Sequence, residues 1–112
     1  MSEKILLVDD DENLLAGLRR QLRQRFDLQT AQGGYAGLEA LAENGPFSVV
    51  VSDMRMPVMN GVRFLARVKE RYPDTVRMML TGNADMDVAI QAVNEGNIFH
   101  FLNNILQIFA KQ

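Results

Sequence analysis

At 112 residues the chain is close to the commonest domain size, enough for one hydrophobic core and too short for two. A composition of 47% apolar and 23% charged residues excludes the disordered class, and a net charge of −2 excludes a long-range pull toward nucleic acid or anionic lipid. No cysteine and a single histidine exclude a disulfide framework, a thiolate zinc site and a histidine metal cluster.

Met1-Ser2-Glu3-Lys4 leads into an aliphatic run with no charged-then-apolar leader, and no apolar stretch approaches the roughly 18 residues of a membrane span, so the expectation is a soluble, cytoplasmic protein. Ile5-Leu6-Leu7-Val8 reads as a strand buried on both faces, and it runs into Asp9, Asp10 and Asp11. Leu14, Leu15, Leu18 and Leu22 then recur at helical spacing, with Arg19, Arg20, Arg23 and Arg25 forming a solvated face. Asp27 to Ala31 is short and partly alternating, which predicts an edge strand. Gly33-Gly34 breaks the chain, and a second helix from Tyr35 ends at Asn44-Gly45-Pro46.

A second buried strand, Phe47 to Ser52, runs into Asp53. Met54 to Gly61 carries loop chemistry in Pro57 and Asn60-Gly61, and Val62, Leu65 and Val68 open a third helix that Tyr72-Pro73 stops. Thr75 to Leu80 is the fourth strand, ending at Thr81-Gly82-Asn83. A helix from about Asp85 to Glu95 and a fifth strand from Ile98 to Leu102 complete the pattern. Strands alternating with helices through short crossovers predict right-handed βαβ units and a parallel sheet between two helical layers.

Ligands of open parallel sheets bind at the carboxyl ends of the strands, where Asp9, Asp10 and Asp53 would make an anionic pocket suited to an oxygen-preferring divalent cation. An Asp after a strand also caps the following helix, so each of these residues taken singly has a structural reading as well. Three together repel and need a cation or a raised pKa to coexist, which favours the metal reading.

The pattern resembles the receiver (CheY-like) domain of two-component response regulators. The resemblance rests on Val8-Asp9-Asp10-Asp11, on Asp53-Met54-Arg55-Met56-Pro57-Val58-Met59-Asn60-Gly61, and on Thr81-Gly82 after the fourth strand. It implies a flavodoxin-like α/β three-layer sandwich over 1–112, with a five-stranded parallel sheet of order 2-1-3-4-5, helices on both faces and a short final helix. It also implies Asp53 as the phosphoacceptor for a sensor histidine kinase, and Mg²⁺ held by Asp9, Asp10, Asp53 and the backbone carbonyl of Arg55. Thr81 would contact the phosphoryl group, with Gly82 leaving access. Phe101 or Phe99 would be the switch aromatic of a helix-four, strand-five, helix-five surface.

Receivers carry Lys-Pro after the fifth strand, whereas here the chain reads Phe101-Leu102-Asn103-Asn104-Ile105, so Asn103 or Asn104 stands in the lysine position. Either this is a receiver altered at its switch, or the last residues are an unusual terminus and the natural chain continues into an output domain. Asn94 to Phe99 resembles receivers joined to HD-type cyclic-dinucleotide phosphodiesterase domains.

The expected activity is signalling, with self-phosphotransfer and autodephosphorylation the only chemistry. Partners would be the kinase and an output domain or effector, with a homodimer as a further option and no direct contact with nucleic acid or membrane. A pseudo-receiver that binds partners without phosphorylation is the competing expectation. A Mg²⁺-dependent phosphatase or a flavin-binding protein would share the sheet and is the less favoured expectation; a flavin site would want a phosphate-binding loop after the first strand, where the carboxylates repel phosphate.

Overall fold

The computed structural model describes residues 3–80 and the backbone of 100–102. In chain order the elements are β1 (Lys4–Asp9), α1 (Glu12–Leu22), β2 (Asp27–Gln32), α2 (Gly34–Asn44), β3 (Val49–Asp53), α3 (Gly61–Arg71), β4 (Val76–Leu80) and β5 (His100–Leu102). All pairings are parallel, and the sheet has the order β2-β1-β3-β4-β5, the expected one. The helix expected over 85–95 and the short C-terminal helix lie outside the described residues.

Because β1 and β3 are buried on both faces, their side chains divide by alternation between two cores. Leu6, Val8 and Val50 point to one side, where they meet Leu41 of α2 and Phe64, Leu65 and Val68 of α3. Ile5, Leu7 and Val51 point to the other, against Leu15 and Leu18 of α1. This is the sandwich, with α1 on one face and α2 and α3 on the opposite one.

Some boundaries and faces differ from expectation. Phe47 is buried but precedes β3, and its carbonyl accepts a 2.9 Å hydrogen bond from the buried Thr75 hydroxyl, which clamps the entries of β3 and β4 together. Leu14 is exposed because it sits 100° round the helix from Leu15, leaving it at the mouth of an apolar cavity of about 180 Å³ lined by Leu7, Leu15, Leu18, Val51 and Leu80. Arg77 is buried within β4, and its guanidinium donates to the Thr75 carbonyl at 3.1 Å; burial lowers its pKa. The arginines of α1 are exposed as expected, with Arg19 donating to Thr30 Oγ1 at 2.7 Å.

Two helical glycines occupy opposite environments. A Cβ on Gly37 would lie 2.8 Å from the ring of the fully buried Phe64 and 3.1 Å from Val8, whereas a Cβ on Gly17 would meet nothing nearer than an Arg20 terminal nitrogen at 4.0 Å. The same substitution therefore acts with opposite sign. Gly17→Ala should stabilise by about 0.5–1 kcal/mol through helix propensity. Gly37→Ala should lose about 1–3 kcal/mol to overpacking, partly offset by that propensity. Urea denaturation of both variants checks the pair, and equal effects would contradict this account of the α2–α3 packing.

Candidate functional site: an acidic sheet edge

β1 and β3 pair in register through Val8↔Ser52, so the residues that follow, Asp9 and Asp53, leave the sheet side by side at its C-terminal edge. Asp10 comes one residue later. The carboxylate oxygens of Asp9, Asp10 and Asp53 lie within 4.8 Å of one another. The third residue of the acidic run does something else: Asp11 is the N-cap of α1, its side chain accepting from the Asn13 and Leu14 amides at 3.0 and 3.2 Å. Both sequence readings of a post-strand carboxylate are thus realised, one residue apart.

The three clustered groups differ in surroundings. Asp9 is 7% exposed, and one carboxylate oxygen accepts the Asp11 amide at 3.0 Å. Asp53 is half-buried, Asp10 is exposed, and the Asp10 carbonyl accepts from the Gln32 side chain at 3.1 Å. Burial raises the pKa of Asp9, and the neighbouring Asp10 adds to the rise. Burial and then the charges of Asp9 and Asp10 push Asp53 up to about 6, against backbone hydrogen bonds from Arg55 and Met54 that lower it.

A set of hard oxygen donors in which burial, with neighbouring charge, favours the proton on Asp9 and Asp53 fits a divalent cation, since the cation relieves the repulsion that the proton otherwise relieves. Asp9, Asp10 and Asp53 could hold it.

The loop leaving β3 is shaped by two features that sequence reasoning missed. A Cβ on Gly61 would lie 2.4 Å from the Asp53 carbonyl oxygen and 2.9 Å from Met54 Cα, so only glycine fits where α3 begins; its amide donates to the Met54 carbonyl at 2.9 Å. Asn60 caps α3 through the Arg63 amide at 2.9 Å. Asn60-Gly61 signalled a loop, but nothing in the string shows that the glycine seats on the backbone of Asp53.

The second feature is Val58. It has φ 71° and is 86% exposed, and the Met59 amide donates across it to the Pro57 carbonyl at 2.7 Å, a three-residue γ-turn of the rarer positive-φ form. A β-branched residue in that region is strained, and its side chain gives no advance sign of it.

Arg55 lies in this loop, two residues beyond Asp53, with its side chain exposed. Phe101 lies in β5, paired with Met79 of β4. Thr81, Phe99, Asn103 and Asn104 lie outside the described residues.

The response regulator receiver domain model matches residues 5–103. The hydrogenase transcriptional regulatory protein HoxA of Cupriavidus necator is 37% identical over 105 residues, which cover 91% of this chain and 22% of HoxA. The crystal structure of adenylate cyclase from Rhodopirellula baltica superposes with a TM-score of 0.89 at 42% identity, covering 99% of this chain and 84% of that one. The signal receiver domain of an HD domain-containing protein from Pseudomonas fluorescens Pf-5 superposes with a TM-score of 0.80 at 35% identity, covering 90% and 74%. The chain spans about a fifth of the length of HoxA and of most of the other curated relatives it matches.

The raised pKa of Asp53 has a thermodynamic consequence. Between its ordinary value of 3.8 and about 6 the folded chain keeps a proton that the unfolded chain has released. The fold is therefore more stable below that window, and this contribution is lost as pH rises through about 6. In chelator-containing buffer at pH 7.5, Asp53→Asn should raise stability by roughly 1 kcal/mol, after discounting for the screening of a half-exposed group, and the gain should vanish near pH 4. Thermal melts across that range test it, and an Asn variant with no advantage at pH 7.5 would contradict the electrostatic account.

Proposed function

The chain belongs to the response regulator receiver domain family, and from that premise we propose that it is a cytoplasmic, phosphorylation-controlled switch whose acceptor is Asp53. The observation that carries the reading is the meeting of Asp9, Asp10 and Asp53 within 4.8 Å at one sheet edge. In the proposed reaction an Asp53 carboxylate oxygen attacks the phosphorus of a sensor-kinase phosphohistidine. The P–N bond breaks as the P–O bond forms, and the imidazole leaves with the electron pair and takes up a proton. The product is an acyl phosphate.

Asp9, Asp10, Asp53 and the backbone carbonyl of Arg55 would hold Mg²⁺, which when bound neutralises charge on the phosphoryl oxygens. Among the chain's own groups, the backbone bonds from Met54 and Arg55 orient the Asp53 carboxylate. Burial of Asp9 sets one wall of the pocket. Thr81, directly after β4, would contact the phosphoryl group, and Phe101 or Phe99 would relay the change to the surface around β5.

The partner upstream would be a sensor histidine kinase. Downstream, an output domain or effector would read the switch, and an HD-type phosphodiesterase is one such output, in keeping with the HD domain-containing neighbour. Residues 1–112 would then form a single receiver unit, active only in its own phosphorylation and dephosphorylation.

Incubation with acetyl phosphate and Mg²⁺ should add one phosphoryl group by intact mass. Asp53→Ala should abolish the addition, and Asp10→Asn or omission of Mg²⁺ should reduce it at least tenfold. Labelling that survives Asp53→Ala would overturn the assignment.

Asn103 or Asn104 in place of the expected lysine exchanges a charge-assisted contact of about 1.5–3 kcal/mol for a neutral one of about 0.5–1.5 kcal/mol. Phosphorylation should then be accepted but poorly coupled to β5, by on the order of tenfold in the conformational equilibrium. With beryllofluoride bound, Asn104→Lys, or Asn103→Lys in the adjacent register, should enlarge amide NMR shifts at Phe99 to Phe101 far more than at Asp53. Full-sized shifts at both places in the unaltered chain would show that asparagine suffices and would leave the pseudo-receiver alternative without support.

A further inference from the structure

Helices α2 and α3 lie side by side on one face of the sheet, and their solvent-facing stripes share one spacing and carry opposite charge. α2 exposes Tyr35, Glu39, Ala42 and Glu43 and contains no basic residue. α3 exposes Arg63, Arg67, Glu70 and Arg71 at the same i, i+4, i+7, i+8 positions, and these side chains with Ala66 border an open furrow of about 390 Å³. Among the described residues none of these charged groups takes part in an ion pair, the one present being Arg19–Glu12 on α1. Three arginines one turn apart repel one another, and α3 alone offers Glu70 to offset them.

The two helices also run in step. Each has 11 residues, and Gly37, fourth in α2, packs on the ring of Phe64, fourth in α3. Counting from Gly34 and Gly61, Glu39 and Glu43 are sixth and tenth, while Arg67 and Arg71 are seventh and eleventh. Tyr35 is second and Arg63 third.

These heights decide which symmetric pairing is favourable. A two-fold axis perpendicular to the helices would lay α2 on α2 and α3 on α3, like charge on like. A two-fold axis parallel to the helices and midway between them preserves height and lays α2 of one copy on α3 of the other. Glu39 then meets Arg67, Glu43 meets Arg71, and the 61% exposed ring of Tyr35 meets the guanidinium of Arg63. Each contact occurs twice. We propose that this α2–α3 face is a self-complementary docking surface for a second copy of the chain, joined about an axis parallel to the two helices.

The proposal is tested by sedimentation velocity on the full chain from 5 to 200 µM. The wild type should dimerise in 50 mM NaCl, with a dissociation constant raised on the order of tenfold or more in 0.5 M NaCl as the surface charges are screened. Glu39→Lys/Glu43→Lys and Arg67→Glu/Arg71→Glu should each be monomeric, because each places like charges opposite one another. Mixed in equal amounts, the two variants should form a heterodimer, since both helix pairs regain opposite charges.

All four positions are exposed, and circular dichroism melts verify that each variant is folded. If either double reversal unfolds, Arg67→Gln/Arg71→Gln, with half the perturbation, should still weaken the dimer several-fold. A wild type that remains monomeric at 200 µM overturns the proposal, as does a dimer that survives both reversals or a mixture of folded variants that does not associate. A monomer that instead binds polyglutamate in low salt would assign the arginine row to an acidic partner and equally overturn the second copy as occupant.

Discussion

Parallel pairing of β1 with β3 is the constraint on which the molecule depends, because it forces Asp9 and Asp53 to leave the sheet as neighbours. The juxtaposition is unfavourable by itself. Two carboxylates about 5 Å apart repel by about 1–4 kcal/mol, depending on how much solvent reaches them. What holds them there is the pair of cores on either side of the same two strands. Leu6, Val8 and Val50 on one face and Ile5, Leu7 and Val51 on the other are nearly fully buried, each contributing roughly 1.5–3 kcal/mol. Hydrophobic burial therefore exceeds the repulsion, and the acidic edge is held in tension by the apolar residues of the strands beneath it.

Burial and repulsion together reappear as proton affinity. Asp9 and Asp53 are both displaced upward, burial being the larger cause at each, and the exposed Asp10 adds its charge to both. Asp11 has a different task, its carboxylate accepting two amide donors of the helix that follows. Three consecutive residues of one type thus have three fates, set by whether the strand, the edge or the helix takes the side chain. The positive-φ turn at Val58 belongs to the same pattern of local cost at this edge, since the loop bends sharply just after β3.

The strands and helices of residues 3–80 were legible because the aliphatic runs are uninterrupted, the glycines and prolines fall between them, and hydrophobic period changes where the element type does. The membership of Asp9, Asp10 and Asp53 in one cluster was legible for the same reason, since strand ends are easy to place when strands are. Features fixed by close approach were not. Leu14 fits the apolar period as well as Leu15, yet which of two adjacent leucines faces the sheet depends on a rotation of the helix that periodicity leaves open. A buried Arg77 within Val76–Leu80 has no counterpart in hydropathy, because its burial is compensated by carbonyls that only the folded turn supplies. Val58 carries no mark of its backbone angle, and the charge match between α2 and α3 emerges only once the sheet sets the helices side by side and in step.

Gly61 bears on how stiffness is distributed around the edge. Its amide is bonded to the Met54 carbonyl, and no atom can be inserted between its Cα and the carbonyl oxygen of Asp53. The first turn of α3 therefore rests on Asp53 with no compliant layer between them. α1 is joined to its side of the edge differently, through a cap from the side chain of Asp11, whose torsions can give. A small shift of the Asp53 backbone would be transmitted to α3 almost undiminished, as through a rigid strut, while α1 would be reached through a spring.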